Sequence, residues 1–247
     1  MEKDVFVVTG SSKGIGKALV EQLLQRPNIQ VIGLSRSKSD ILHERFEEKL
    51  VDLSDLEALN LIYQSIFPDL TGVSKVVLVN NAGWIGPIAH IGKLEVQDIE
   101  KIFRVNTIAP LLLMDAFVRK YGAQSNLQKL VVNISSGAAS KAIDGWSTYS
   151  ASKAAVQMMS QTAQQEADLD GTGIRYFSVA PGVVDTDMQA DIRAADLSDF
   201  SALERFRSLK EGSQLSSPEE AAEKILFLID HPNKFQEVVQ DVRNFNL

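Results

Sequence analysis

The chain has no cysteine among its 247 residues. That excludes a disulfide-stapled scaffold and any thiolate-ligated zinc domain. Histidine is scarce too. His43, His90 and His231 stand alone, none at a metal-ligand spacing, so no metal is expected. No apolar run approaches the roughly 18 residues that a membrane span needs, so no membrane segment is expected. The N-terminus sets acids beside one lysine and then a short strand-like run, which does not read as a secretory signal. Basic residues are outnumbered: 25 Lys plus Arg against 32 Asp plus Glu give a net charge of −7, with no basic tract. Such a chain does not attract a polyanion, so nucleic acid is not expected as a partner. The lack of cysteine suits the cytoplasm, the expected location, although a cysteine-free chain folds in any redox compartment.

What is present is an ordinary apolar share, 45%, arranged as short runs alternating with longer amphipathic segments. Strands are expected at 5–8, 31–34, 50–51, 76–79, 130–134 and 174–179. Helices are expected at 17–24, 56–67, 96–121 and 148–169, closed by Pro27, Pro68 and the pair Gly171 and Gly173. Strands separated by helices imply βαβ crossovers. The expected fold is therefore α/β, a doubly wound parallel sheet with helices on both faces, in a single domain over 1–247. The least regular stretch, about 183–216, carries Ile192, Ala195, Leu203, Phe206 and Leu209 at spacings that form an apolar face. It reads either as a substrate-side lid or as surface helices on the core.

The turn after the first strand is Thr9-Gly10-Ser11-Ser12-Lys13-Gly14-Ile15-Gly16. Glycines let a backbone approach a pyrophosphate, and the helix that follows offers free N–H groups and a partial positive charge. The same turn without a ligand is simply a tight strand–helix junction. Its place at the first βα connection of an α/β chain favours a dinucleotide. An acid at the end of the second strand would bind a ribose 2′-hydroxyl. Here that strand runs into Ser35-Arg36-Ser37, with no acid. Arg36 and Lys13 suit a 2′-phosphate, so NADPH (or NADP) is expected over NADH. The alternative is that both are solvated surface charges.

Tyr149 and Lys153 are four apart, on one face of the helix expected at 148–169. A free tyrosine titrates near ~10. A nearby ammonium and a cationic nicotinamide would favour the phenolate and bring that value down. Ser135-Ser136 ends the fifth strand, where a hydroxyl can donate to a carbonyl and accept from the tyrosine. Asn106, a mediocre helix former in mid-helix, could hold at a local break a water that links to Lys153.

With these motifs in this order, and with Asn80-Asn81-Ala82-Gly83 and Pro181-Gly182, the chain resembles the short-chain dehydrogenase/reductase family over nearly its whole length. The resemblance implies a Rossmann-like fold and the catalytic set Asn106, Ser136, Tyr149 and Lys153. Tyr149 would be the acid, with Lys153 lowering its pKa and binding the nicotinamide ribose. Asn106 would complete a proton relay. The family's serine-to-tyrosine spacing selects Ser136, and adjacent strand residues face opposite ways. The implied cofactor contacts are Gly10, Ser12, Lys13, Gly14, Ile15, Gly16, Ser35, Arg36, Asp52, Leu53, Asn80, Ala82, Gly83, Tyr149, Lys153, Pro181, Gly182, Val184, Thr186 and Met188. Asp52 would meet the adenine amino group and Thr186 the nicotinamide carboxamide. Asn80 and Asn81 read equally as structural turn formers, and Asp52 as the cap of the helix starting near Ser54.

A narrower likeness, through Gly145-Trp146-Ser147-Thr148-Tyr149 and Ala180-Pro181-Gly182-Val183-Val184-Asp185-Thr186-Asp187-Met188-Gln189, is to sepiapterin and benzil reductases. It implies NADPH-dependent reduction of a ketone or vicinal diketone, a small-molecule carbonyl substrate. Asp241 lies near the place where animal sepiapterin reductases anchor the pterin, but out of step by about one residue. The substrate pocket is expected at Trp84, Ile85, Trp146, Met188 and Ile192. The two tryptophans suggest a flat apolar substrate, and each reads equally as core packing. Two other functions stand beside this one: an NAD(P)-dependent alcohol dehydrogenase, and a non-catalytic NADPH-sensing binding protein. Family members pair through the two long helices, so a homodimer or homotetramer is expected. Ala154, Ala155, Met158 and Met159 could serve such a seam or face the sheet.

Overall fold

The structure is a computed structural model and describes residues 3–69 and 71–246. β1 (Lys3–Thr9), β2 (Ile29–Ser35), β3 (Phe46–Leu50), β4 (Val73–Asn80), β5 (Gln128–Ile134), β6 (Ile174–Ala180) and β7 (Val239–Asp241) form one parallel sheet. Their order is β3-β2-β1-β4-β5-β6-β7. The central strands are apolar on both sides because helices cover both faces. α1 (Gly14–Leu24) and α8 (Pro218–Asp230) cover one face, burying Phe6, Val8, Leu19, Leu23 and Ile225 together. α2 (Leu56–Ile66), α4 (Ala109–Tyr121) and α5 (Ser147–Leu169) cover the other, around Val7, Leu78, Phe117 and Tyr176. The single doubly wound parallel domain expected from the alternation, Rossmann-like as the resemblance implied, is what forms. Chain order reverses between β1 and β4, and their carboxyl ends open the crevice where ligands of such sheets sit.

Several boundaries differ from the sequence reading. The third strand is Phe46–Leu50, not 50–51. As the outer strand it is only partly covered, so Glu47, Glu48 and Lys49 break up any apolar run. The long helix expected at 96–121 is α3 (Val96–Phe103), one π turn (Arg104–Ile108), then α4. The wider turn centres on Asn106, the break the sequence suggested, and Pro110, which has no N–H to donate, follows in the first turn of α4. β7 and α8 were not foreseen. β7 has three residues, too short to carry a pattern, while α8 opens on a capping box of Ser217 and Glu220 that is legible in retrospect.

The irregular stretch holds α6 (Asp187–Arg193) and α7 (Leu203–Glu211). It is clipped at its base, where the Asp185 N–H donates to the Ser216 carbonyl at 2.9 Å and the Ser216 N–H to Val183 at 3.1 Å. No described helix is long and apolar enough to cross a membrane.

Candidate active site

Thr9 ends β1 and turns its side chain to the exit of β4. Its Oγ1 accepts from the backbone N–H groups of Asn81 and Ala82, both at 2.9 Å, and the Asn81 amide donates to the Thr9 carbonyl at 2.9 Å. The two carboxyl ends are thereby locked side by side. The chain then turns through Gly10 at φ 68°, and a Cβ on Gly16 would lie 2.1 Å from the Gly10 carbonyl oxygen. Glycine at 16 therefore lets α1 start directly against the strand. Lys13 is the N-cap of α1 and makes no side-chain cap, so the first-turn N–H groups have no side-chain acceptor from it.

In front of this turn lies a cleft of about 770 Å³. Its walls include Gly10, Ser12, Lys13, Gly14, Ile15, Ser35, Arg36, Asp52, Leu53, Ala82, Gly83, Trp84, Ile85, Tyr149, Lys153, Pro181, Thr186 and Met188, all singled out from the sequence. Gly16, Asn80, Gly182, Val184, Asn106, Ser136, Trp146 and Ile192 lie outside that lining. Asn80 is buried and donates to Asn133 Oδ1 at 2.8 Å, which ties β4 to β5. The alternative reading of Asp52 as a helix cap is corrected. Asp52 accepts from the Ser54 N–H and hydroxyl at 2.8 and 2.7 Å, whereas the cap of α2 is Asp55. Those bonds, with Arg36 and Lys101 nearby, hold the Asp52 carboxyl below its ordinary pKa against the opposing effect of burial, the largest single influence.

The cleft's charges divide unevenly. Arg36 is exposed and makes no hydrogen bond or ion pair among the described residues. Lys13 pairs at 2.8 Å with Asp187, the first residue of α6. The sequence reading missed three wall residues of consequence: Lys101, Asp187 and Arg193. Lys101 places its ammonium 4.7 Å from the Trp84 ring centroid, a contact set by how α3 docks on the sheet and not readable from spacing.

Tyr149 and Lys153 stand on the first turns of α5, both buried. The Lys153 ammonium donates to the Ile134 carbonyl at 2.7 Å and lies 5.8 Å from the Tyr149 ring centroid. Ser136 and Ser135 part company as adjacent strand-end residues should. The Ser136 hydroxyl interacts with the Tyr149 phenol, while Ser135 lines the cleft and donates to the Lys153 carbonyl at 3.4 Å. The π turn aims Asn106 at Trp84: its Oδ1 accepts from the Trp84 N–H at 2.8 Å and its amide donates to the Trp84 carbonyl at 2.9 Å. The same amide donates to Ser152 Oγ at 3.0 Å. Gly83 leaves the space where Lys153 and Asn106 converge. A Cβ there would stand 3.4 Å from Lys153 Nζ and 3.6 Å from Asn106 Oδ1.

Burial dominates the electrostatics of the pair. Burial drives the Tyr149 phenol up to about 12, with Ser136 pulling the other way, and brings Lys153 down to about 8. Desolvation is the dominant influence on the Tyr149 phenol and favours its neutral form.

Trp146 belongs to an aromatic cluster. It stacks on Phe200 at 5.5 Å and 16°, meets Tyr149 edge-on at 5.7 Å, and touches Phe206 at 5.5 Å. Ile85, Ile192 and Leu203 complete that cluster, so the 183–216 stretch packs on the Tyr149 end of the cleft through its apolar face. Asp241, at the end of β7, accepts from the Arg243 backbone N–H at 3.0 Å and its Nε at 2.8 Å; the guanidinium keeps its carboxyl below the usual range.

A family model for short chain dehydrogenases matches residues 4–197. The chain is 35% identical over 229 residues to the benzil reductase ((S)-benzoin forming) of Bacillus subtilis (strain 168), covering 92% of this chain and 93% of that one. It is 30% identical over 243 residues to the sepiapterin reductase of Meriones unguiculatus, covering 91% and 90%. Among solved structures, the KRED1-Pglu enzyme matches with a TM-score of 0.78 and 31% identity, covering 92% of this chain and 94% of that one. With the glycine turn and the tyrosine–lysine pair on one cleft, the chain belongs to the short-chain dehydrogenases, oxidoreductases that bind a nicotinamide cofactor and act on small molecules.

Proposed function

We propose that this protein is an NADPH-dependent carbonyl reductase that acts on a ketone or vicinal diketone. The observation that carries the reading is the placement of Tyr149 and Lys153 on the same cleft wall as the glycine turn, with Ser136 against the phenol. The names of the two relatives, benzil and sepiapterin reductase, support a carbonyl substrate.

The residues present fit a dinucleotide. Gly10 turns with positive φ, and the first turn of α1 offers N–H donors to a pyrophosphate. Arg36 at the exit of β2 has its fork of donors available to a 2′-phosphate, and Lys13 stands across from it on the same cleft. Asp52 and Leu53 would border the adenine, and Lys153 the nicotinamide ribose. Once bound, the nicotinamide supplies the hydride. The chain's own groups handle the oxygen and its proton. Ser136 and Tyr149 would hold the carbonyl oxygen, and Tyr149, kept protonated by burial, would give up its proton as negative charge builds there. Lys153, fixed by Ile134, would steady the phenolate that remains. Asn106 shapes the wall behind Lys153 by pinning the Trp84 backbone.

A second copy is the expected partner. Ile108, Leu111, Leu112 and Val118 on the π turn and α4, and Met158 on α5, leave apolar surface exposed, which supports pairing through these helices. The test of the function is NADPH or NADH consumption with benzil, sepiapterin and simple aldehydes. Turnover of a diketone with NADPH well above NADH is expected. No turnover with any carbonyl would favour the sensor reading, and equal use of both cofactors would overturn the 2′-phosphate assignment.

A further inference from the structure

Lys13 and Asp187 join two parts of the chain that move apart in sequence but share the cleft. Lys13 belongs to the glycine turn, and Asp187 opens α6. Their 2.8 Å contact is the one hydrogen bond described for either side chain. Both are largely exposed, at 66% and 75% for the side chains, so the pair is weak and exchangeable rather than a structural strut. Thr186, the residue before, packs toward the turn: a Cβ on Gly14 would sit 3.3 Å from its methyl. Asp187 is thus held against the turn by its backbone as well as by its charge. Arg36, a second cation on the cleft, makes no such contact among the described residues.

We infer that Asp187 is an internal competitor for the cofactor's 2′-phosphate, a carboxylate that occupies Lys13 until a phosphate displaces it, and so sets how strongly the protein prefers NADPH. The inference rests on the 2′-phosphate reading of Lys13 and Arg36 proposed above. A dianionic phosphate offers Lys13 more charge than a carboxylate does, so the exchange runs toward the cofactor. Before it, Asp187 both neutralises Lys13 and repels the incoming phosphate. NADH has no group that needs Lys13 in this way, and its affinity does not feel the competition. The residue therefore tempers discrimination between the two cofactors without touching the reacting atoms.

The test is calorimetric titration of NADPH and NADH, and of 2′,5′-ADP against AMP, into the full chain at low ionic strength. The proteins are wild type, Asp187→Asn, Lys13→Met and the double variant. Asp187→Asn is expected to tighten NADPH and 2′,5′-ADP about two- to fivefold, the range of an exposed ion pair, and to leave NADH and AMP unchanged. In the Lys13→Met background the same change should have no effect beyond the repulsion it relieves, a smaller gain. Equal tightening of NADH, no change with NADPH, or a gain undiminished by Lys13→Met would overturn the inference. If Lys13 instead serves the pyrophosphate, Asp187→Asn tightens NADH and NADPH alike, which also overturns it. A wild-type protein that binds NADH as tightly as NADPH would show a different failure, that of the 2′-phosphate reading, before any variant is compared.

Discussion

The ammonium of Lys153 is tied to the last carbonyl of β5, that of Ile134, at 2.7 Å. This bond fixes the height of α5 on the sheet edge. Because Tyr149 lies one helical turn before Lys153, it also fixes where the phenol meets the cleft. The lysine is not free to swing to the tyrosine, and the two groups are electrostatically distinct: one driven toward the neutral acid, the other toward the neutral amine, both by burial.

That burial sets a pH dependence of stability. Lys153 titrates near about 8 in the fold and at 10.5 when free. Between those values the unfolded chain binds the extra proton, so stability contributed at this site rises with pH. Wild type should gain on Lys153→Met by about 2 kcal/mol between pH 7 and 9.5, read from urea unfolding. Lys129, also lowered by burial, pushes the same way in both proteins, so the difference between them isolates Lys153. Tyr149 acts only above its free value of 10, where its raised folded value makes stability fall with pH. A constant gap between the two proteins would contradict the buried-lysine account.

Arg36→Ala should weaken NADPH about 10- to 100-fold, the loss of charge-assisted hydrogen bonds, and NADH far less. Direct titration of both cofactors measures it. An equal loss for both would mean that Arg36 supports the turn rather than a 2′-phosphate.

Trp146→Ala should destabilise the protein by about 3–5 kcal/mol, since it removes the ring on which Phe200, Phe206 and Tyr149 all pack. The segment with α6 and α7 should then become more readily cut by protease, with the first cleavages mapping to 183–216. Unchanged stability with altered ketone selectivity would place Trp146 in the substrate pocket instead.

The parts of this molecule that announced themselves in the sequence are those whose chemistry depends on local spacing. The strand–glycine–helix junction at Thr9 to Gly16 and the one-turn separation of Tyr149 and Lys153 are backbone geometries, legible before folding. Contacts made across the chain were not. The Lys13–Asp187 pair joins residues 174 positions apart, and nothing near Lys13 announces it. The Asn80–Asn133 bond that ties β4 to β5 likewise joins residues 53 positions apart. Trp146 stands beside Tyr149 in sequence, yet the rings of Phe200 and Phe206 that pack on it come from α7 and the loop before it. The value of the Tyr149 pKa also lay beyond spacing, because desolvation is a property of the packed interior.

The central claim is that Tyr149 supplies the proton for NADPH-dependent carbonyl reduction. The most direct test is steady-state NADPH oxidation with benzil by wild type and Tyr149→Phe, with NADPH affinity measured in parallel. The account predicts that the variant binds NADPH as wild type does while kcat falls by about 10²- to 10⁴-fold. A variant that keeps its turnover, at any affinity, would contradict it.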